Sequence, residues 1–180
     1  MDSERGKVLK WQIASVIWVI VIGSFLHFTY ELSGNSPLVG AFSAVNESVW
    51  EHLKLGYWSM ILFCLIEYPF IKDYANNYFF AKAMGIFAMN LFIALFFYSY
   101  TAIIGKHLLF LDIVSYILGA LIYGIVSYKI MTKGSSKDCN IMGLSLLIIF
   151  GMLFILFTFF PPRLPIFRDS QTGTYGIPTE

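Results

Sequence analysis

Charge is what this chain has least of. Asp, Glu, Lys and Arg make up 13% of its 180 residues, about half the share that a water-solvated domain carries. That scarcity excludes a conventional soluble globule. The net charge is +1 and no basic cluster is dense enough to grip a phosphate backbone, so nucleic acid is not an expected partner. Cysteine is almost missing too. Cys64 and Cys139 are the only two, one inside an apolar run and one at a loop edge, which leaves no disulfide framework and no Cys-x-x-Cys pair for a metal. A His-Glu-x-x-His motif is also absent, and no internal repeat or low-complexity segment is visible.

What is present is apolar. Hydrophobic residues account for 58% of the chain, with 18 Phe and 11 Tyr, and the mean hydropathy is +0.71. Crossing the hydrocarbon layer takes roughly 20 apolar residues, and five runs approach or exceed that length, at about 9–32, 55–71, 78–104, 108–131 and 141–160. They do not alternate as barrel strands do, so helices are expected. The first run exceeds the apolar core of a signal peptide and reads as a retained span. The second is short and carries Glu67 near its end. The predicted fold is an all-α polytopic transmembrane bundle of about five spans over residues 1–160, followed by a Pro/Gly-rich tail at 161–180. Its first partner is the lipid bilayer of a cell membrane.

Orientation follows from Lys and Arg on alternate sides. One side holds Arg5, Lys7, Lys10, Lys72, Lys82, Lys129, Lys133 and Lys137; the other holds Lys54, Lys106, Arg163 and Arg168. Eight against four predicts a cytoplasmic N-terminus and an extracytoplasmic tail.

With that topology all three histidines fall toward one end. His27 and Glu31 are i and i+4 near the close of the first span, so they share a helix face. In the segment from Asn46 to Lys54, Asn46 is expected to be the N-cap, with Glu47 at the positive end of the helix dipole. Glu47 and Glu51 repeat the i, i+4 spacing and His52 lies beside them. Zinc takes imidazole nitrogen and carboxylate oxygen, and a catalytic site keeps one position for water. His27, His52 and Glu47 are therefore candidate ligands for zinc or another divalent metal, and Glu31 and Glu51 candidates for ligand or catalytic base. A bland reading competes: Glu47, Glu51 and Lys54 as a solvated face, and His107 as an interfacial loop residue.

Further candidates for a polar pocket at this end are Asn46, His107, Asp112, Arg163 and Arg168. Glu67 and Asn90 stand apart as polar positions inside apolar spans, serving either a helix–helix hydrogen bond or a pathway. The tail is expected to be irregular, not a sixth span. Its Leu164, Ile166, Phe167 and Tyr175 are potential anchors that would let it cap the bundle.

The segments His27–Glu31, Asn46–Lys54, Phe167–Asp169 and Gly173–Gly176 together resemble an uncharacterised family of small bacterial integral membrane proteins, known only as a domain of unknown function. The resemblance covers nearly the whole chain. It implies a bacterial inner-membrane protein and brings no activity with it. Three functions remain open from the residues: a metal-dependent membrane hydrolase acting on a lipid or small molecule, a small transporter or ion-conducting protein using Glu67, Asn90 and the His/Glu pair, and a non-enzymatic subunit of a membrane complex.

Overall fold

The structure is a computed structural model and describes residues 2–133 and 138–177. Lys137, counted above for orientation, and the last three tail residues lie outside the described residues. The described chain is all-helical: α1 (Asp2–Leu32), a short α2 (Pro37–Gly40), α3 (Val49–Ile71), α4 (Tyr78–Ile104), α5 (Leu109–Thr132), α6 (Asn140–Phe159), and a 3-10 turn at Pro165–Phe167. Four helices are long and apolar enough to cross a membrane: Ser3–Leu32 within α1, and the whole of α4, α5 and α6. Their outer faces are apolar, with Ile17, Leu95, Phe110, Ile125 and Ile148 among the exposed side chains.

The remaining long helix, α3, is the interior one. It packs against α1, α4 and α6 and against the 3-10 turn, while α4 also contacts α5 and α6, and α5 contacts α1. At 1.5 Å per residue its 23 residues reach about 35 Å. The helix that carries the second span, expected at 55–71, starts at Val49, within the helical lead-in expected between Asn46 and Lys54. Glu51 and Lys54, expected on a solvated face, are 2% and 0% exposed. Their ion pair at 2.5 Å neutralises both charges, so the helix stays inside the bundle through two extra turns. Asn46 is not the N-cap either. Ser48 takes that role, accepting from the Glu51 backbone N–H at 3.4 Å.

Close helix contacts depend on missing side chains. A Cβ on Gly85 would collide with the Ser127 hydroxyl, and one on Gly143 with the backbone of Phe80. These two positions let α5 and α6 approach α4, as small residues do in membrane bundles.

Candidate metal centre

The local chain after α1 builds this site. Gly34 and Asn35 adopt left-handed φ angles of 71° and 61°, and their N–H groups bond back to Glu31 O and Tyr30 O at 3.0 and 3.1 Å. That closes the helix and reverses the chain. Ser43 then ties the returning loop to α1, donating to Leu26 O at 2.5 Å and accepting from the Tyr30 N–H at 3.1 Å. The loop thus lies beside His27, and α3 starts from it.

Three side chains meet there. His27 Nε2 and His52 Nε2 are 3.2 Å apart; Glu47 reaches them with Oε1 at 3.5 Å from His27 and Oε2 at 3.4 Å from His52. One ligand atom from each of the three lies within 4.8 Å of the other two. For bonds of 2.0–2.1 Å, tetrahedral zinc places neighbouring ligands about 3.3 Å apart. The observed edges match that spacing. His52 Nδ1 sits 2.8 Å from the Ser48 carbonyl, so it carries a proton and donates to that oxygen, which leaves Nε2 to donate to Glu47 when protonated and to offer its lone pair to a metal when not. A second hydrogen bond of this kind orients metal-bound imidazoles.

The three side chains are about one-third exposed, at 29%, 35% and 35% for His27, Glu47 and His52. A coordination position can open outward. Hydrogen bonds from the two imidazoles hold the Glu47 carboxyl well below the usual carboxylate range, which keeps it ready as an anionic ligand. Asp112 lies within electrostatic reach of His52. It accepts from the Tyr100 hydroxyl and is 3.6 Å from His107 Nδ1, so the start of α5 and the end of α4 also border the site.

The other carboxylates go elsewhere. Glu31 is exposed beyond the turn and does not enter the cluster. Glu51 turns into the bundle, where Oε2 pairs with Lys54 and accepts from the Val45 N–H at 3.1 Å, and Oε1 accepts from Thr158 at 2.9 Å. Lys54 also donates to Gly40 O and Thr158 Oγ1, both at 2.7 Å. Glu51 thus clamps the loop onto α3 and α6, and neither of its oxygens faces the imidazoles.

The tail folds over this end. Phe167 is buried and packs with Trp50 and Phe157. The Ser170 N–H bonds to Glu47 O at 3.3 Å, and the Glu47 N–H to Asp169 Oδ2 at the same distance. Asn46 donates to Gly176 O at 2.8 Å while its own Oδ1 accepts from the Ser48 N–H. Replacing Asn46 by Ala is expected to loosen the tail by about 1 kcal/mol. Limited proteolysis after Arg168 should then proceed roughly fivefold faster; an unchanged rate would show that Phe167 alone holds it.

A second polar cluster was not expected as such. Lys82, counted above for orientation, is fully buried and pairs with Glu67, also fully buried. Around them are Tyr78 donating to Glu67 at 2.8 Å, Tyr123 OH at 2.8 Å from Lys82, and Gln12 and Ser15 of α1 at 3.3 and 3.4 Å from it. Asn90 is not part of this network, and its Oδ1 has no hydrogen-bond partner among the described residues. Arg163 and Arg168 are exposed.

Fold and site together define a class: a helical bundle suited to a membrane, carrying an open histidine–carboxylate cluster at one end beneath a folded-back tail. The chain belongs to a family of unknown function, DUF6512, whose model matches residues 1–177. No curated protein and no solved structure matches it.

Proposed function

We propose that this is a multi-pass membrane protein of the bacterial cytoplasmic membrane that binds one divalent metal ion, zinc by preference, through His27, Glu47 and His52, and uses it for hydrolysis. The observation that carries the reading is the set of 3.2–3.5 Å separations between ligand atoms from three parts of the chain. Two imidazoles and one carboxylate with a free position are the donor set of hydrolytic zinc sites. A zinc ion held by His27, Glu47 and His52 would supply Lewis acidity there, polarising a water for attack on an ester or phosphoester bond. Asp112, which accepts from Tyr100 and lies 3.6 Å from His107 Nδ1, is a further carboxylate at this end of the bundle and would serve as proton acceptor.

The positive-inside argument supports a cytoplasmic N-terminus. With Lys82 and Lys54 withdrawn into buried pairs, the comparison becomes seven against three. That bias would place the metal site on the extracytoplasmic side. The conducting alternative draws less support, because Glu67 is sealed in an ion pair and Asn90 stands apart from it. A docking role for the tail is likewise disfavoured by its engagement with its own chain.

Elemental analysis of the detergent-purified protein should give close to one zinc per chain, removed by chelator and absent from His52→Ala that retains its helical circular dichroism. Protein without metal, or metal that survives both His27→Ala and His52→Ala, would sink the reading.

A further inference from the structure

Beside the metal cluster lies an open cleft of about 400 Å³. One wall is apolar, from Val49 at the start of α3, Phe97 and Tyr98 on α4, and Pro165. The other is the tail turn running from Arg168 to Gly173. The turn contains one acid, Asp169, and its oxygens are already hydrogen-bonded to backbone N–H groups. Oδ1 accepts from the N–H groups of Gln171 and Thr172 at 2.7 and 2.9 Å, Oδ2 from Glu47, and the residue is 6% exposed. Arg168 is different. Its side chain is exposed, and among the described residues its guanidinium has neither ion pair nor hydrogen bond. The cleft therefore presents, opposite an aromatic wall, one guanidinium that has no ion pair among the described residues.

The position of the cleft connects it both to the site and to the outer surface. Val49 and His52 are i and i+3 on α3, so cleft and cluster open from the same helix face. Glu47 joins them, with its carboxylate on the imidazoles and its backbone on Asp169 and Ser170. On the far side Tyr98 is 39% exposed and Leu95, one turn earlier on α4, is 60% exposed. The apolar wall thus continues onto the face that α4 would turn toward lipid. A soluble anion would have no use for that wall, and a neutral apolar molecule none for the guanidinium.

We propose that the cleft is the headgroup site of an anionic phospholipid, with the phosphate on Arg168 and an acyl chain along Phe97 and Tyr98. The lipid is the substrate that reaches the metal cluster. Its role as substrate rests on the metal reading; its binding does not.

Native mass spectrometry of the detergent-solubilised protein tests binding, with phosphatidylglycerol, phosphatidylcholine and inorganic phosphate as separate probes and zinc measured in parallel. Phosphatidylglycerol is expected to bind at least about tenfold more tightly than phosphatidylcholine, and Arg168→Gln, of unchanged melting temperature, to erase that preference. Inorganic phosphate should displace it only weakly. Equal binding of the two lipids, an unaltered preference in Arg168→Gln, or inorganic phosphate competing at equal concentration would overturn the proposal. Selective lipid binding in zinc-free protein would uphold this site while refuting the metal centre. Stoichiometric zinc without lipid selectivity would do the reverse.

Discussion

Zinc affinity should fall steeply as pH drops below the imidazole range, by up to about 100-fold per pH unit, and level off above it. Ligating nitrogens must be unprotonated, so each imidazolium releases a proton on metal binding. Imidazoles ordinarily titrate near 6.5. Glu47 adds nothing to the slope, because His27 and His52 hold its carboxyl well below the usual carboxylate range and it stays ionised throughout. Well below the imidazole range two protons leave, which sets a limiting slope of two; well above it none leave. Isothermal titration with zinc at a series of pH values reads the slope directly. Glu47→Gln removes the one anionic ligand and should cost more than the 10–100-fold typical of losing a supporting hydrogen bond. A pH-independent affinity, or a Glu47→Gln protein that binds as before, would mean that the three side chains meet for structural reasons alone.

The helices were legible in the sequence because each apolar run stops at polar residues that cannot enter hydrocarbon. The third span, expected at 78–104, coincides with α4, and the fourth and fifth each shift by one residue. What was misjudged in α3 is the setting of its first turns, for a definite reason. Glu51 and Lys54 look like surface in any local window, and their burial depends on Thr158, more than a hundred residues away. The same limit applies to the site. Helical spacing suggested His27 with Glu31, and Glu47 with Glu51, since i, i+4 is the pairing that local sequence reveals. The observed cluster is His27, Glu47 and His52, the three named from donor chemistry as candidate ligands, without their i, i+4 partners Glu31 and Glu51. It is assembled by Gly34, Asn35 and Ser43, which fold the loop back onto α1. The tail's anchors were visible as Phe167 and its neighbours, but its hydrogen bonds to Asn46 and Glu47 were not. Lys82 was hidden most completely, because four residues into a helix it reads as a boundary charge.

Removing Lys82 alone should destabilise the bundle by about 3–5 kcal/mol, whereas replacing Lys82 and Glu67 together should restore most of that loss. The pair is fully buried among Gln12, Ser15, Tyr78 and Tyr123, so it joins α1, α3, α4 and α5 through one ammonium group. Lys82→Met leaves a carboxylate that must either remain charged without a partner or take up a proton. Glu67 Oε2 already lacks a hydrogen bond among the described residues, which deepens that cost. The double variant Lys82→Met with Glu67→Leu removes both charges and leaves hydroxyls that can partner one another, as Ser15 and Tyr123 already do at 2.7 Å. In thermal unfolding in detergent, the single variant should melt on the order of 10 °C lower and the double should recover most of the difference. The comparison also separates a structural lock from a transport path. A lock predicts that the double variant keeps both its zinc and its lipid selectivity, because the pair touches neither site. If the double variant is as unstable as the single, the charges are holding something besides each other, and an ion or proton pathway through Glu67 becomes the better account.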